Sequence, residues 1–84
     1  MFLARVYVTL KPTVNNPQGK TILGGLKSLG FDMAVDVRAG KYLEIKVANA
    51  ERSGAEASVE EMCQKLLANS VIESYRYEVE EILL

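Results

Sequence analysis

Five apolar residues at alternate positions, Phe2, Ala4, Val6, Val8 and Leu10, with Arg5, Tyr7 and Thr9 between them, constrain this chain more than any other feature. A period of two puts the first set on one face of an extended strand and the second on the other, so this strand needs a hydrophobic layer on one side only. The next segment predicts what that layer is. Asn16 is placed to cap a helix with Pro17 at its first position, where the N–H that proline lacks would have no helical partner. Ile22, Leu23, Leu26 and Leu29 mark one face of this helix, and Gly30 stands where a left-handed residue ends it. Gly24 and Gly25 should each cost about 1 kcal/mol relative to alanine, so a close backbone approach is expected there.

Val35 and Val37 alternate with Asp36 and Arg38, and after Ala39 and Gly40 the pattern resumes with Leu43, Ile45 and Val47 against Tyr42, Glu44 and Lys46. That pattern predicts a β-hairpin turning at Ala39-Gly40. Ser53-Gly54-Ala55-Glu56 fits a capping box, in which serine and glutamate satisfy each other's backbone donors. Ala55, Val59, Met62, Cys63, Leu66 and Leu67 give the second helix its apolar face, and Asn69 is placed to cap its end. Leu26 and Leu66 are expected to be core positions. Ile72, Tyr75, Tyr77 and Val79, separated largely by polar residues, form a last strand running to Glu80 or Glu81 before Ile82-Leu83-Leu84.

The order is β-α-β-β-α-β. It predicts a single α+β domain over residues 1–84: a two-layer, ferredoxin-like sandwich of one antiparallel sheet with two helices on one face. Strands commonly run to about five or six residues, so the longer last strand and its apolar tail should pair with another subunit. Tyr75, Tyr77, Val79, Ile82, Leu83 and Leu84 are the candidates for that interface. A chain of 84 residues buries only a little over about 60% of its unfolded surface, which also favours an oligomer.

Ten Lys and Arg against eleven Asp and Glu leave a net charge of -1, so no long-range field draws the chain to nucleic acid or to an anionic membrane. Arg5 interrupts the first apolar run, which reads as a strand and not as a signal peptide or membrane span. The chain has no histidine and one cysteine. This removes the commonest general base and the thiolate and imidazole ligands of a zinc site, so no catalytic or metal residue is assigned. Cys63, with no base to activate it, reads as a buried apolar group in a reducing, cytoplasmic setting. Glu78 and Glu80 share a strand face, and a nearby Arg or Lys should relieve their crowding. The start of the first helix, with Lys11 and Lys20 nearby, lacks a glycine-rich phosphate cradle and reads better as a shaped contact surface.

Four segments carry more detail than such a fold needs: 10–20 with two prolines and amides at Asn15, Asn16 and Gln18; Gly30-Phe31; 37–44; and 59–73. In order and spacing they resemble the PurS family, the small subunit of phosphoribosylformylglycinamidine synthase. The resemblance implies an assembly subunit that joins a glutaminase, PurQ, and a synthetase, PurL, so that ammonia passes between them. Formylglycinamide ribonucleotide is then converted to its amidine at the expense of glutamine and ATP. It also implies that ATP and Mg are used by the whole complex and that this chain binds no cofactor. The chain itself should form a homodimer or tetramer. Carried over by position, the partner-contact candidates are Lys11, Pro12, Gln18, Gly19, Arg38, Gly40, Lys41 and Tyr42. Asn16 where aspartate is common, Ser70 where proline is usual, and Gly24-Gly25 in place of larger helix formers depart from the family pattern. A ferredoxin-like regulatory module binding a small ligand is the alternative, and an RNA-binding module comes third, with Glu44 where an uncharged aromatic platform would be needed.

Overall fold

In the computed structural model, which describes residues 1–83, strand β1 (Phe2–Leu10) lies between β2 (Gly40–Val47) and β3 (Glu73–Glu81) in a three-stranded antiparallel sheet. The register turns the alternation of β1 into two distinct faces. Ala4 sits between Ile45 and Val79, Val6 between Leu43 and Tyr77, and Val8 between Lys41 and Tyr75. Tyr7 lies between Tyr42 and Arg76 on the opposite face, and Arg5 lies between Glu44 and Glu78. Helix α2 (Arg52–Met62), continued by a π-helical turn over Cys63–Leu67, covers the first face. Phe2, Ala4, Val6, Val8 and Val47 from the sheet meet Ala55, Val59, Cys63 and Ala68 in the core.

Helix α1 (Pro17–Ser28) starts as its sequence predicts. The Asn16 side chain accepts from the Gly19 N–H at 2.8 Å, and Pro17 occupies the first turn. Gly30, at φ +92°, carries the chain out of the helix. The α+β class therefore holds, but the layer on the sheet is different from the one expected. Of α1, only Gly19 is buried, and among the described residues the extensive helix–sheet contacts are made by α2 and not by α1. The Cα radius of gyration is 16.4 Å, against about 12 Å for a compact chain of this length.

Other local expectations are corrected. Residues 35–38 form no strand, and no hairpin turns at Ala39-Gly40. Val35 is 84% exposed, the Asp36 carboxylate accepts from the Val37 N–H, and Arg38 is drawn to the loop after β1, so one local and several long-range hydrogen bonds take the place of strand pairing. The capping box does not form: α2 begins at Arg52 with Glu51 as its cap. Arg52 donates to the Val79 carbonyl and stacks on the Phe2 ring at 5.8 Å, which ties the helix start to the sheet one residue ahead of the expected cap. Past Cys63 the π-helical turn changes the angular step, leaving Leu66 82% exposed while Leu67 packs on the core. Asn69 stands at C′, directly after the extended Ala68 cap, but takes no left-handed conformation; its side chain organises a turn, accepting from the Val71 N–H at 3.1 Å. Gly24 and Gly25 have nothing within 4 Å of an added Cβ. The close approaches fall at Gly19, against the Val37 carbonyl, and at Gly40, against the Val8 carbonyl.

Candidate partner-contact surface

The loop between β1 and α1 is held by groups that lie far apart in the chain. The Arg38 guanidinium donates to the carbonyls of Lys11 at 2.8 Å, Val14 at 3.0 Å and Leu10 at 3.3 Å. Asn16, 3% exposed, accepts from Gly19 and donates to the Ala39 carbonyl at 2.9 Å. A buried amide satisfied on both sides joins the helix start to the segment returning from it, and it has no polar atom left unpaired. The Lys11 N–H donates to the Ile72 carbonyl at 2.8 Å, which ties the same loop to the chain entering β3.

These bonds divide the candidates into two groups. Gly19, Arg38 and Gly40 shape the loop: two glycines where no Cβ fits, and one cation meeting several carbonyl oxygens. Pro12, Gln18, Lys41 and Tyr42 are exposed and Lys11 is half-buried, so the first group holds the second in place. Lys41 and Tyr42 point to opposite faces, since Lys41 pairs with Val8 on the helix side and Tyr42 with Tyr7 on the open side.

The open face of the sheet carries a row that sequence periodicity did not assemble. The Tyr7 and Tyr42 rings lie 5.1 Å apart and tilted by 38°, and Arg76 sits 3.8 Å over the Tyr7 ring. The Tyr42 hydroxyl donates to Glu44 at 2.8 Å, and burial, followed by that carboxylate, pushes its pKa up. Arg5 pairs with Glu80 at 2.5 Å and Arg76 with Glu78 at 3.4 Å, which meets the expectation that cations relieve the Glu78 and Glu80 crowding. Each strand showed its alternation separately, but only the register brings Tyr42, Tyr7 and Arg76 side by side.

Three oligomer candidates are used inside the chain. Tyr75, Tyr77 and Val79 face α2 and pack on the core, so β3 presents its free backbone edge to a neighbour and not these side chains. Ile82 is half-buried with its N–H bonded to the Met1 carbonyl, and Leu83 is exposed. Leu84 lies outside the described residues.

The Tyr75 hydroxyl donates to Glu60 at 2.9 Å, and Gln64 donates to the same oxygen at 3.0 Å. These two bonds, Tyr75 first, hold the Glu60 carboxyl below its usual pKa, and the Glu60 bond is the main cause of the raised Tyr75 phenol. A lowered folded-state carboxylate pKa gives stability that is complete above the ordinary carboxylate range and lost as pH falls through the folded pKa; the raised phenol gives stability lost only as pH rises through its own. Tyr75→Phe should therefore move the acid unfolding transition to higher pH, followed by circular dichroism. An unchanged acid transition would show that the pair carries no pH-linked stability. Burial raises the Cys63 thiol, which fits its place in the core and not that of a nucleophile.

The family model for PurS, described as phosphoribosylformylglycinamidine (FGAM) synthase, matches residues 3–81. The chain belongs to the PurS family. The PurS subunit of phosphoribosylformylglycinamidine synthase from Bacillus subtilis is 47% identical over 83 residues, covering 99% of this chain and 98% of that protein. The solved Methanocaldococcus jannaschii PurS, described as one of the subunits of formylglycinamide ribonucleotide amidotransferase in the purine biosynthetic pathway, superposes with a TM-score of 0.87 at 41% identity. That superposition covers 99% of this chain and 100% of that one. A chain in the Thermotoga maritima PurLQS structure gives a TM-score of 0.86 at 26% identity, covering 94% of this chain and 96% of the other. These likenesses carry the ferredoxin-like PurS arrangement.

Proposed function

We propose that this chain is the non-catalytic assembly subunit of phosphoribosylformylglycinamidine synthase, an ATP- and glutamine-dependent amidotransferase ligase of purine biosynthesis. It joins a PurQ glutaminase to a PurL synthetase, so that ammonia released by the first reaches the second. The observation that carries this reading is its nearly full-length likeness to a chain of the PurLQS structure. The loop geometry supports it: an arginine, a buried asparagine and two glycines hold exposed side chains in one shape, which lowers the ordering cost of docking. ATP and Mg belong to the synthetase in this reading, the chain binds no cofactor of its own, and the complex works in the cytoplasm as an assembly built on a PurS dimer or tetramer.

Association measured by light scattering tests it. The chain should enter one complex with PurL and PurQ. Arg38→Ala, which frees the loop, and Tyr42→Ala, which removes the aromatic row, should each weaken entry by about tenfold, or ~1.4 kcal/mol. If both variants assemble like the parent, this surface is not the bridge. Tight binding of a free metabolite by the isolated chain would favour the regulatory alternative.

A further inference from the structure

Arg38 carries a charge that no carboxylate among the described residues neutralises. Its bonds to the Leu10, Lys11 and Val14 carbonyls are all made by one nitrogen, Nη2. The ion pairs among the described residues join Arg5 to Glu80, Lys65 to Glu61 and Arg76 to Glu78, and Arg38 is in none of them. Carbonyl dipoles orient a guanidinium without cancelling its charge, so the N–H groups of Nε and Nη1 on this exposed side chain remain available.

Arg38 lines a cleft of about 460 Å³ together with Thr9, Leu10, Pro12, Asp36 and Ser74. Thr9 and Ser74 are partners across β1 and β3, so their hydroxyls stand side by side on the open face of the sheet. Asp36 accepts from the Val37 N–H at 3.0 Å and makes no ion pair with Arg38. A smaller hollow shares Thr9 and Ser74 and reaches Tyr7 and Arg76. Alternate residues of a strand lie ~7 Å apart, which puts Ser74 one step from Arg76, stacked 3.8 Å over the Tyr7 ring. The cleft thus offers a cation and two hydroxyls, and it opens onto the Tyr7–Tyr42 row.

A carboxylate matches these donors. Its two oxygens can accept from a guanidinium and a hydroxyl together, and such charge-assisted bonds are about twice as strong as neutral ones. The adjoining tyrosine rings give a protein surface apolar area to cover, which a small free anion would leave in water.

We propose that this cleft receives an acidic side chain of a partner subunit, between Arg38 and the Thr9 and Ser74 hydroxyls, with the neighbouring partner residues lying over Tyr7 and Tyr42. The inference rests on the bridging reading and names the chemistry of the contact: an Asp or Glu beside an apolar patch. Arg38 then holds the loop after β1 through Nη2 and meets the partner through its remaining N–H groups. One side chain couples the shape of the loop to the charge of what docks on it.

Position 74 tests the contact without disturbing the loop, because Ser74 is exposed and the Arg38 bonds to the loop do not involve it. Ser74→Asp fills the cleft with a carboxylate of the chain itself and should weaken entry into the PurL and PurQ complex by at least about tenfold, with a shallower dependence on ionic strength than the parent shows. Ser74→Asn, of similar size and uncharged, should enter nearly as the parent does. In the complex of Ser74→Lys, a carbodiimide should join the new amine to an Asp or Glu of PurL or PurQ, with loss of water, in an amide bond located by mass spectrometry. Equal entry by the Asp and Asn variants, or coupling of position 74 only to carboxylates of its own chain, overturns the inference and leaves the bridging reading standing. A parent chain that does not join PurL and PurQ overturns both. Binding of a uridine oligonucleotide that is lost in Ser74→Asp, with assembly unchanged, overturns the inference in favour of an RNA-binding face.

Discussion

Glutamine-dependent amidation by a PurL and PurQ pair is expected to fall on the order of 100-fold when this chain is withheld, while amidation supplied with ammonium salt stays nearly unchanged. Ammonia released by a free glutaminase is diluted into solvent and protonated before it meets the synthetase. When source and consumer are held in one assembly, transfer becomes effectively intramolecular, with a local concentration set by the distance between the two sites. The ammonium arm of the experiment isolates this effect, because it leaves the chemistry of the synthetase untouched. Arg38→Ala and Tyr42→Ala should act like partial removal, lowering glutamine-dependent turnover at limiting subunit and recovering when the variant chain is added in excess. Equal glutamine-dependent rates with and without the chain would show that it neither bridges the two enzymes nor channels ammonia.

The second large effect concerns the base of α1. Gly19→Ala is expected to cost about 3 kcal/mol. An added Cβ meets the Val37 carbonyl carbon at 2.9 Å and the Asn16 side chain at 3.0 Å, and the Val37 oxygen more closely still. The first obstacle is backbone, which cannot rotate away as a long side chain can, and the second is the buried amide that caps the helix. Relief requires parting α1 from residues 37–39, which breaks the Asn16 bond to Ala39 and withdraws the segment that carries Arg38. For a domain of this size that loss lowers the melting temperature by more than about 10 °C, with weaker entry into the complex. Gly24→Ala makes the opposite prediction. Nothing among the described residues lies within 4 Å of its added Cβ, and helix propensity alone should add about 0.5 to 1 kcal/mol. Two alanines five residues apart on one helix should thus move stability in opposite directions in thermal unfolding. A neutral Gly19→Ala would mean that α1 is not clamped at its base.

Local periodicity and local chemistry determined much of this protein. The alternation in Phe2–Leu10 predicted β1, Asn16 and Pro17 predicted the start of α1, Gly30 its end, and Cys63 its burial, because each depends on neighbours within a turn or on one face of one element. The PurS spacing was legible for the same reason: it is a pattern along the chain. Where elements compete for partners, the sequence ran out. Val35 and Val37 have the alternation of a strand, yet a strand exists only if a neighbour accepts its hydrogen bonds, and Arg38 joins the loop after β1 instead. Tyr75 and Tyr77 share their residue type with Tyr7 and Tyr42, and the register of three strands alone sends one pair under α2 and the other to the open face. A capping box at Ser53 lost to Arg52, whose partners Phe2 and Val79 lie on strands that no local window contains. The sequence determined which faces are apolar. Tertiary structure decided what meets them, because helix placement and strand register depend on contacts between residues far apart in the chain.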